Sequence, residues 1–151
     1  MFEALSNAKE ELKRVDHQLY VSLKYTRTVD VFKNLIDRII NCYLFSFNAL
    51  LIYMKEKKKI PSIPDTPIAK ANLILKLFSE DKIIIDGADV FLLLRKINKS
   101  EYIKAQEFRR HVSMTVIIED KSIEVNIDVL YEYYEGLKTF LSRTEEIIKN
   151  D

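Results

Sequence analysis

The sequence predicts a mostly α protein, an antiparallel bundle of four to five helices with a small β-hairpin before the last one. Three observations carry this expectation. Glycine and proline are scarce, at two and three in 151 residues, and rare breakers favour long helices over a many-turned β protein. Apolar residues recur at three- and four-residue spacing over most of the chain. Only residues 111–126 switch to a period of two. With 48% hydrophobic residues, a chain of this length can bury a real core as one domain, residues 1–151.

The first helix is expected from about residue 3 to the low twenties, where Leu5, Leu12, Val15 and Leu19 form one stripe. "TRTVD" (26–30) then reads as a break and restart. Thr26 and Thr28 suit caps, and Asp30 suits the first turn of the next helix. That second helix, about 29–58, is apolar nearly all round and must be covered on most sides. Its polar residues Asp30, Asn34, Asp37, Arg38, Asn41 and Asn48 keep helical spacing and form one narrow stripe. The stripe is either a solvated edge, the favoured expectation, or the lining of a polar groove. "KEKKK" (55–59) closes the helix, where cations suit the C-terminal dipole.

"IPSIPDTP" (60–67) is the clearest loop, because its prolines cannot continue a helix. Thr66 as cap and Pro67 at the first position start a third helix, to about Ser79. In the next segment Ile83–Ile85 are ambiguous between a short strand and a packing turn. Asp86, with Asp89 three residues on, is expected to cap a fourth helix. Residues 111–126 predict the hairpin, with Val112, Met114, Val116 and Ile118 alternating with polar residues and Ile123 and Val125 following "EDKS". Asn126 then caps the last helix, about 127–149. Gly136 weakens that helix, which suggests a close helix contact there.

The charge is nearly balanced, with 24 basic and 23 acidic residues. Its distribution is uneven. Residues 1–60 carry 11 Lys/Arg against 7 Asp/Glu, whereas residues 112–151 carry 4 against 9. A basic front and an acidic back suit a polar partner surface or complementary faces in an oligomer, and fall short of a domain-wide nucleic-acid footprint. Cys42 is the single cysteine, which excludes an internal disulfide and a thiolate zinc cluster. The charged N-terminus does not resemble a signal peptide. The most apolar window, residues 42–54, is shorter than the roughly 20 residues of a bilayer span. A buried core helix in a cytoplasmic protein, with no membrane partner, is the expectation.

Chemistry-bearing motifs are absent from the sequence. There is no HExxH, CxxC, EF-hand or Walker A spacing, no paired ExxH and no GxSxG elbow. No metal or cofactor is therefore expected. The polar stretch "VDHQLYVSLKYTRTVD" (15–30) is the main focus. Asp16 and His17 are adjacent, so their side chains diverge by about 100° on a helix. Asp16 and Tyr20 share a face and are placed to bond. His17, Tyr20 and Lys24 share a second face. A second focus is "EFRRHV" (107–112), where Arg109, Arg110 and His111 can gather around a phosphate. Asp16, His17, Tyr20, Arg27, Arg109 and Arg110 are the candidate pocket residues.

The stretches "DHQLYVSLKYTRTVDVFKNLIDRIINCYLFSFNALL" and "EFRRHVSMTVIIEDKSIEVNIDVLYEYYEGLKTFLSRTEEI" resemble an archaeal helical-bundle family with a DHxxYV-type opening, related to the HEPN-like bundles. The resemblance implies a bundle named for nucleotide binding and often found as a dimer. Active HEPN ribonucleases carry an Arg followed four to six residues later by His on a late helix. Here Arg143 has no such histidine, Arg109 and Arg110 precede His111 too closely, and Arg14 precedes His17 by three. The resemblance thus implies binding or assembly rather than ribonuclease chemistry. The leading expectation is a non-enzymatic module that self-associates as a homodimer, with the tyrosines of the last helix, Tyr131, Tyr133 and Tyr134, suited to an interface. The alternatives are nucleotide or RNA binding through Lys24, Arg27, Arg109 and Arg110, and a hydrolase using His17.

Overall fold

Helix α1 (Phe2–His17) continues without a break into a π-helical turn (Gln18–Ser22) and a last short helical turn, α2 (Leu23–Tyr25). The computed structural model describes residues 1–107 and 111–150 of the chain. After the "TRT" joint comes α3 (Val29–Glu56), followed by α4 (Pro67–Leu77) and α5 (Lys82–Lys99). Strands β1 (Tyr102–Ala105), β2 (Ser113–Ile118) and β3 (Lys121–Asn126) precede α6 (Ile127–Lys149).

The joint works as its sequence suggests. Thr28 accepts a hydrogen bond from Val31 N, a cap worth about 1 kcal/mol. A second cap comes from far away, because the Glu107 carboxylate accepts from Val29 N at 3.1 Å. Helix α3 is the central element. Phe32, Leu35, Ile36, Ile39, Tyr43, Phe47 and Leu50 are fully buried, and α1, α4, α5 and α6 all pack on it. By length and composition α3 would also pass for a membrane span, but 61% of its most apolar window is buried within the fold. Helices α1 and α3 run antiparallel: Cys42 Sγ donates to Ala8 O at 3.3 Å, and Arg38, one turn back along α3, reaches Glu11, one turn on along α1.

Three expectations are corrected. The hairpin is part of a three-stranded antiparallel sheet, order β1-β2-β3. The β2–β3 pairing matches the alternation, closing on Ile118 opposite Lys121, with Glu119 and Asp120 both at positive φ in the turn. Strand β1 is added by Tyr102 opposite Val116. Its three exposed residues out of four show no apolar alternation, so periodicity could not reveal it. The α5 cap is Asp81 rather than Asp86. Asp81 accepts from Ile84 N, so Ile83–Ile85 are helical and Asp86 falls inside the helix, paired with Lys82 at 3.3 Å. Thr66 and Asn126 cap α4 and α6 as expected.

The third correction concerns glycine. A side chain at Gly136 would meet nothing within 4 Å, whereas a Cβ on Gly87 would lie 2.1 Å from Phe140 Cδ2. The close approach between α5 and α6 is therefore at Gly87. Gly87→Ala is expected to destabilise the fold by about 1–3 kcal/mol through overpacking against a fully buried ring. Gly136→Ala is expected to stabilise it by about 0.4–1 kcal/mol. Chemical denaturation of the two variants beside the parent checks both signs.

Candidate functional site

The stretch 15–30 builds two different surfaces, and the π turn separates them. A π turn holds one more residue than an α turn, so side chains beyond it are rotated relative to those before it. His17, Tyr20 and Lys24, expected on one face, are divided accordingly. His17 faces a groove between α1 and α3. Tyr20 and Lys24 face α6, around a small pocket shared with Arg27 and Tyr131.

Asp16 does not bond Tyr20. Its carboxylate accepts the Tyr134 hydroxyl at 2.6 Å, tying α6 to the end of α1. Tyr20 lies instead against the rings of Tyr131 (centroids 5.2 Å) and Tyr134 (6.1 Å, edge-on). Of the α6 tyrosines expected at an interface, Tyr134 is therefore spent inside the fold. What remains outside is Tyr20, half exposed, Val21, and Tyr25 at 77% exposure. Burial raises the Tyr134 phenol above its ordinary range, and donation to Asp16 adds to the rise.

Arg27 stands apart from His17. Its Nε donates to Leu23 O at 3.1 Å, closing the last turn of α2. Its side chain also lines a cavity of about 300 Å³ with His111, Glu124 and Asp128. Arg109 and Arg110 lie outside the described residues. The second focus thus joins Arg27 to His111, as the sequence did not foresee, and sets two carboxylates beside them.

The α1–α3 groove is open to solvent and has a volume of about 700 Å³. Lys13, Arg14 and His17 line it from α1, and Gln18 and Ser22 from the π turn. The polar stripe Asn34, Asp37, Arg38 and Asn41 lines the α3 wall. The stripe is exposed, so it is both solvated and a groove wall. Beneath it Glu11 is 7% exposed, with Arg38 Nη1 at 3.1 Å and Arg14 Nη1 at 3.9 Å. Sequence reasoning missed Glu11, which sits in the charged face of α1 and gives no periodic signal.

The remaining singled-out residues are structural. Cys42 is fully buried, and burial, with Glu11 nearby, pushes its thiol up to about 12. Such a thiol stays protonated and unreactive at neutral pH. Arg143 Nε donates to Asp81 at 2.7 Å, locking α6 to the α5 cap. Among the described residues, no group of three His, Cys, Asp or Glu side chains is placed to hold a metal ion. No family model, curated protein or solved structure matches the chain.

The Tyr134–Asp16 bond has a pH signature. A phenol whose folded-state value is raised contributes stability that is complete below the unfolded value of 10 and is lost as pH climbs above it. Tyr134→Phe is expected to cost about 1 kcal/mol near neutrality. The parent is then expected to lose its advantage over the variant above pH 10. Thermal melts of both proteins between neutral and alkaline pH check this.

Proposed function

We propose that the chain is a non-enzymatic helical-bundle module that works by association, and that it pairs with a second copy of itself through the turn joining α1 to α3. One observation carries this: Tyr20, Val21 and Tyr25 stand exposed together on six residues of chain. An exposed cluster of large apolar side chains marks an interaction surface, and tyrosine is enriched at such surfaces. Tyr20 is held in place by the Tyr131 and Tyr134 rings, so little side-chain freedom is lost when a partner docks.

Charge supports a copy of the same chain as the partner. Lys24 is exposed within the cluster, and Asp128 and Glu132 are exposed on the first turns of α6. A two-fold axis through the cluster could bring Lys24 of each copy to the acidic start of α6 in the other, as an isologous interface allows. A HEPN-like bundle, a class often dimeric, belongs to the same proposal; the long buried α3 and the closing α6 support it. Nucleotide or RNA binding at Arg27 is less favoured, because Glu124 and Asp128 share its cavity and repel phosphate.

Light scattering on the purified chain is expected to report a dimer. The double variant Val21→Asp, Tyr25→Glu alters only exposed positions and is expected to raise the dissociation constant by about thirtyfold or more, the scale of one lost anchor residue. A parent chain that stays monomeric at high concentration, or a double variant that dimerises as well as the parent, overturns the proposal.

A further inference from the structure

We propose that the α1–α3 groove is a ligand site, and that its ligand is a small phosphorylated polyol of the sugar-phosphate class. The inference stands on a different surface from the self-association proposed above.

The groove's arginines gather around one carboxylate. Glu11 is a nearly buried carboxylate that contacts both Arg14 and Arg38. Around Glu11 one carboxylate faces two guanidiniums, a local excess of one positive charge, while Glu10, Lys13 and Asp37 bring the described groove as a whole to balance. Arg38 spends one donor on Glu11, Arg14 only lies within ion-pair range of it, and each planar guanidinium keeps further donors. Both side chains remain about half exposed toward the groove, at 58% and 44%. Of the other carboxylates, Glu10 is matched by Lys13 at 3.4 Å. Asp37 lines the groove as well and keeps its negative charge, with Oδ1 accepting from Asn98 Nδ2 of α5 at 2.6 Å. His17 lies one turn beyond Arg14 on the same wall. Arg14 and Arg38, with His17 beside them, offer several donors to the acceptor oxygens of a phosphate monoester.

The rest of the lining selects the body of the ligand. Gln18, Ser22, Asn34 and Asn41 face the same space and offer paired donors and acceptors. Among the described lining residues there is no Phe, Tyr or Trp, so a nucleobase could stack only on the His17 ring or on the two guanidinium planes that a phosphate would occupy. A polyol, with hydroxyls that both donate and accept, matches four amide and hydroxyl side chains. The volume of about 700 Å³ lies within the roughly 300–1,000 Å³ of small-molecule sites. Gln18 and Ser22 reach the groove from the π turn, a distortion found frequently at functional sites.

Isothermal titration calorimetry on the full chain with glucose 6-phosphate, AMP and inorganic phosphate tests the assignment. Glucose 6-phosphate is expected to bind saturably and about tenfold or more tighter than either of the others, the scale of one or two additional hydrogen bonds. Arg14→Gln leaves the Glu11–Arg38 pair intact and is expected to weaken glucose 6-phosphate about tenfold, as does loss of one charged hydrogen bond. Asn41→Ala is expected to weaken glucose 6-phosphate while leaving inorganic phosphate unchanged. The Val21→Asp, Tyr25→Glu variant is expected to bind as the parent does, which separates this site from the association surface. Absence of saturable glucose 6-phosphate binding at millimolar concentration overturns the proposal. So does equal binding of AMP or inorganic phosphate, or unchanged affinity in Arg14→Gln.

Discussion

Four rings meet where α3, α5 and α6 cross, and they set the frame against which the other helices pack. Tyr43 and Phe47 of α3 contact Phe91 of α5 and Phe140 of α6, with ring centroids 4.9–6.3 Å apart and mostly edge-on. Edge-on rings gain from their quadrupoles beyond the area they bury. The cluster closes only because α5 has no side chain at Gly87, where Phe140 presses against the helix backbone. Arg143, about one turn beyond Phe140, then binds the Asp81 cap of α5. The ring contact and the ion pair fix how far along each other α5 and α6 sit.

Helix α1 is attached by a different chemistry. Its buried face is narrow, with Leu5, Ala8 and Val15, continued by Leu19 in the π turn, and polar ties complete it. Glu11 reaches Arg38, Lys9 reaches Glu145 at 2.8 Å, and Asp16 accepts from Tyr134. A buried carboxylate costs solvation that only close partners offset. Glu11 therefore anchors α1 through its hydrogen bond from Arg38 and draws Arg14 toward the same point. The same residue holds the helix down and arranges the groove.

The sequence made the covalently local features legible. Caps at Thr28, Thr66 and Asn126 depend on one side chain and an N–H three residues on, and the composition of a short window reveals them. The α3 core and the β2–β3 register are also local, being periodic. Features that depend on distant segments were not legible. Glu107 caps α3 from 78 residues away, and β1 exists only because β2 offers it a partner. Both glycines looked alike in sequence, and only the packing of α6 on α5 distinguishes Gly87 from Gly136. The candidate site was half legible. The α3 stripe showed one wall of the groove, while the other wall depends on where α1 lies and on the buried position of Glu11.

The π turn explains why the polar stretch around His17 resisted assignment to a single pocket. Straight helical geometry would put His17, Tyr20 and Lys24 on one face. The extra residue of the π turn instead sends Gln18 and Ser22 to the α3 side with His17, and Tyr20 and Lys24 to the α6 side. Asp16 is the residue on which this division turns. Its bond to Tyr134 holds the end of α1 against α6, and Tyr20 can then lie over the Tyr131 ring rather than back along its own helix. Adjacent residues thus serve surfaces of opposite character: one polar, charged and concave, the other aromatic and protruding. A segment that looked like one constellation is a partition, and its two sides call for partners of different chemistry.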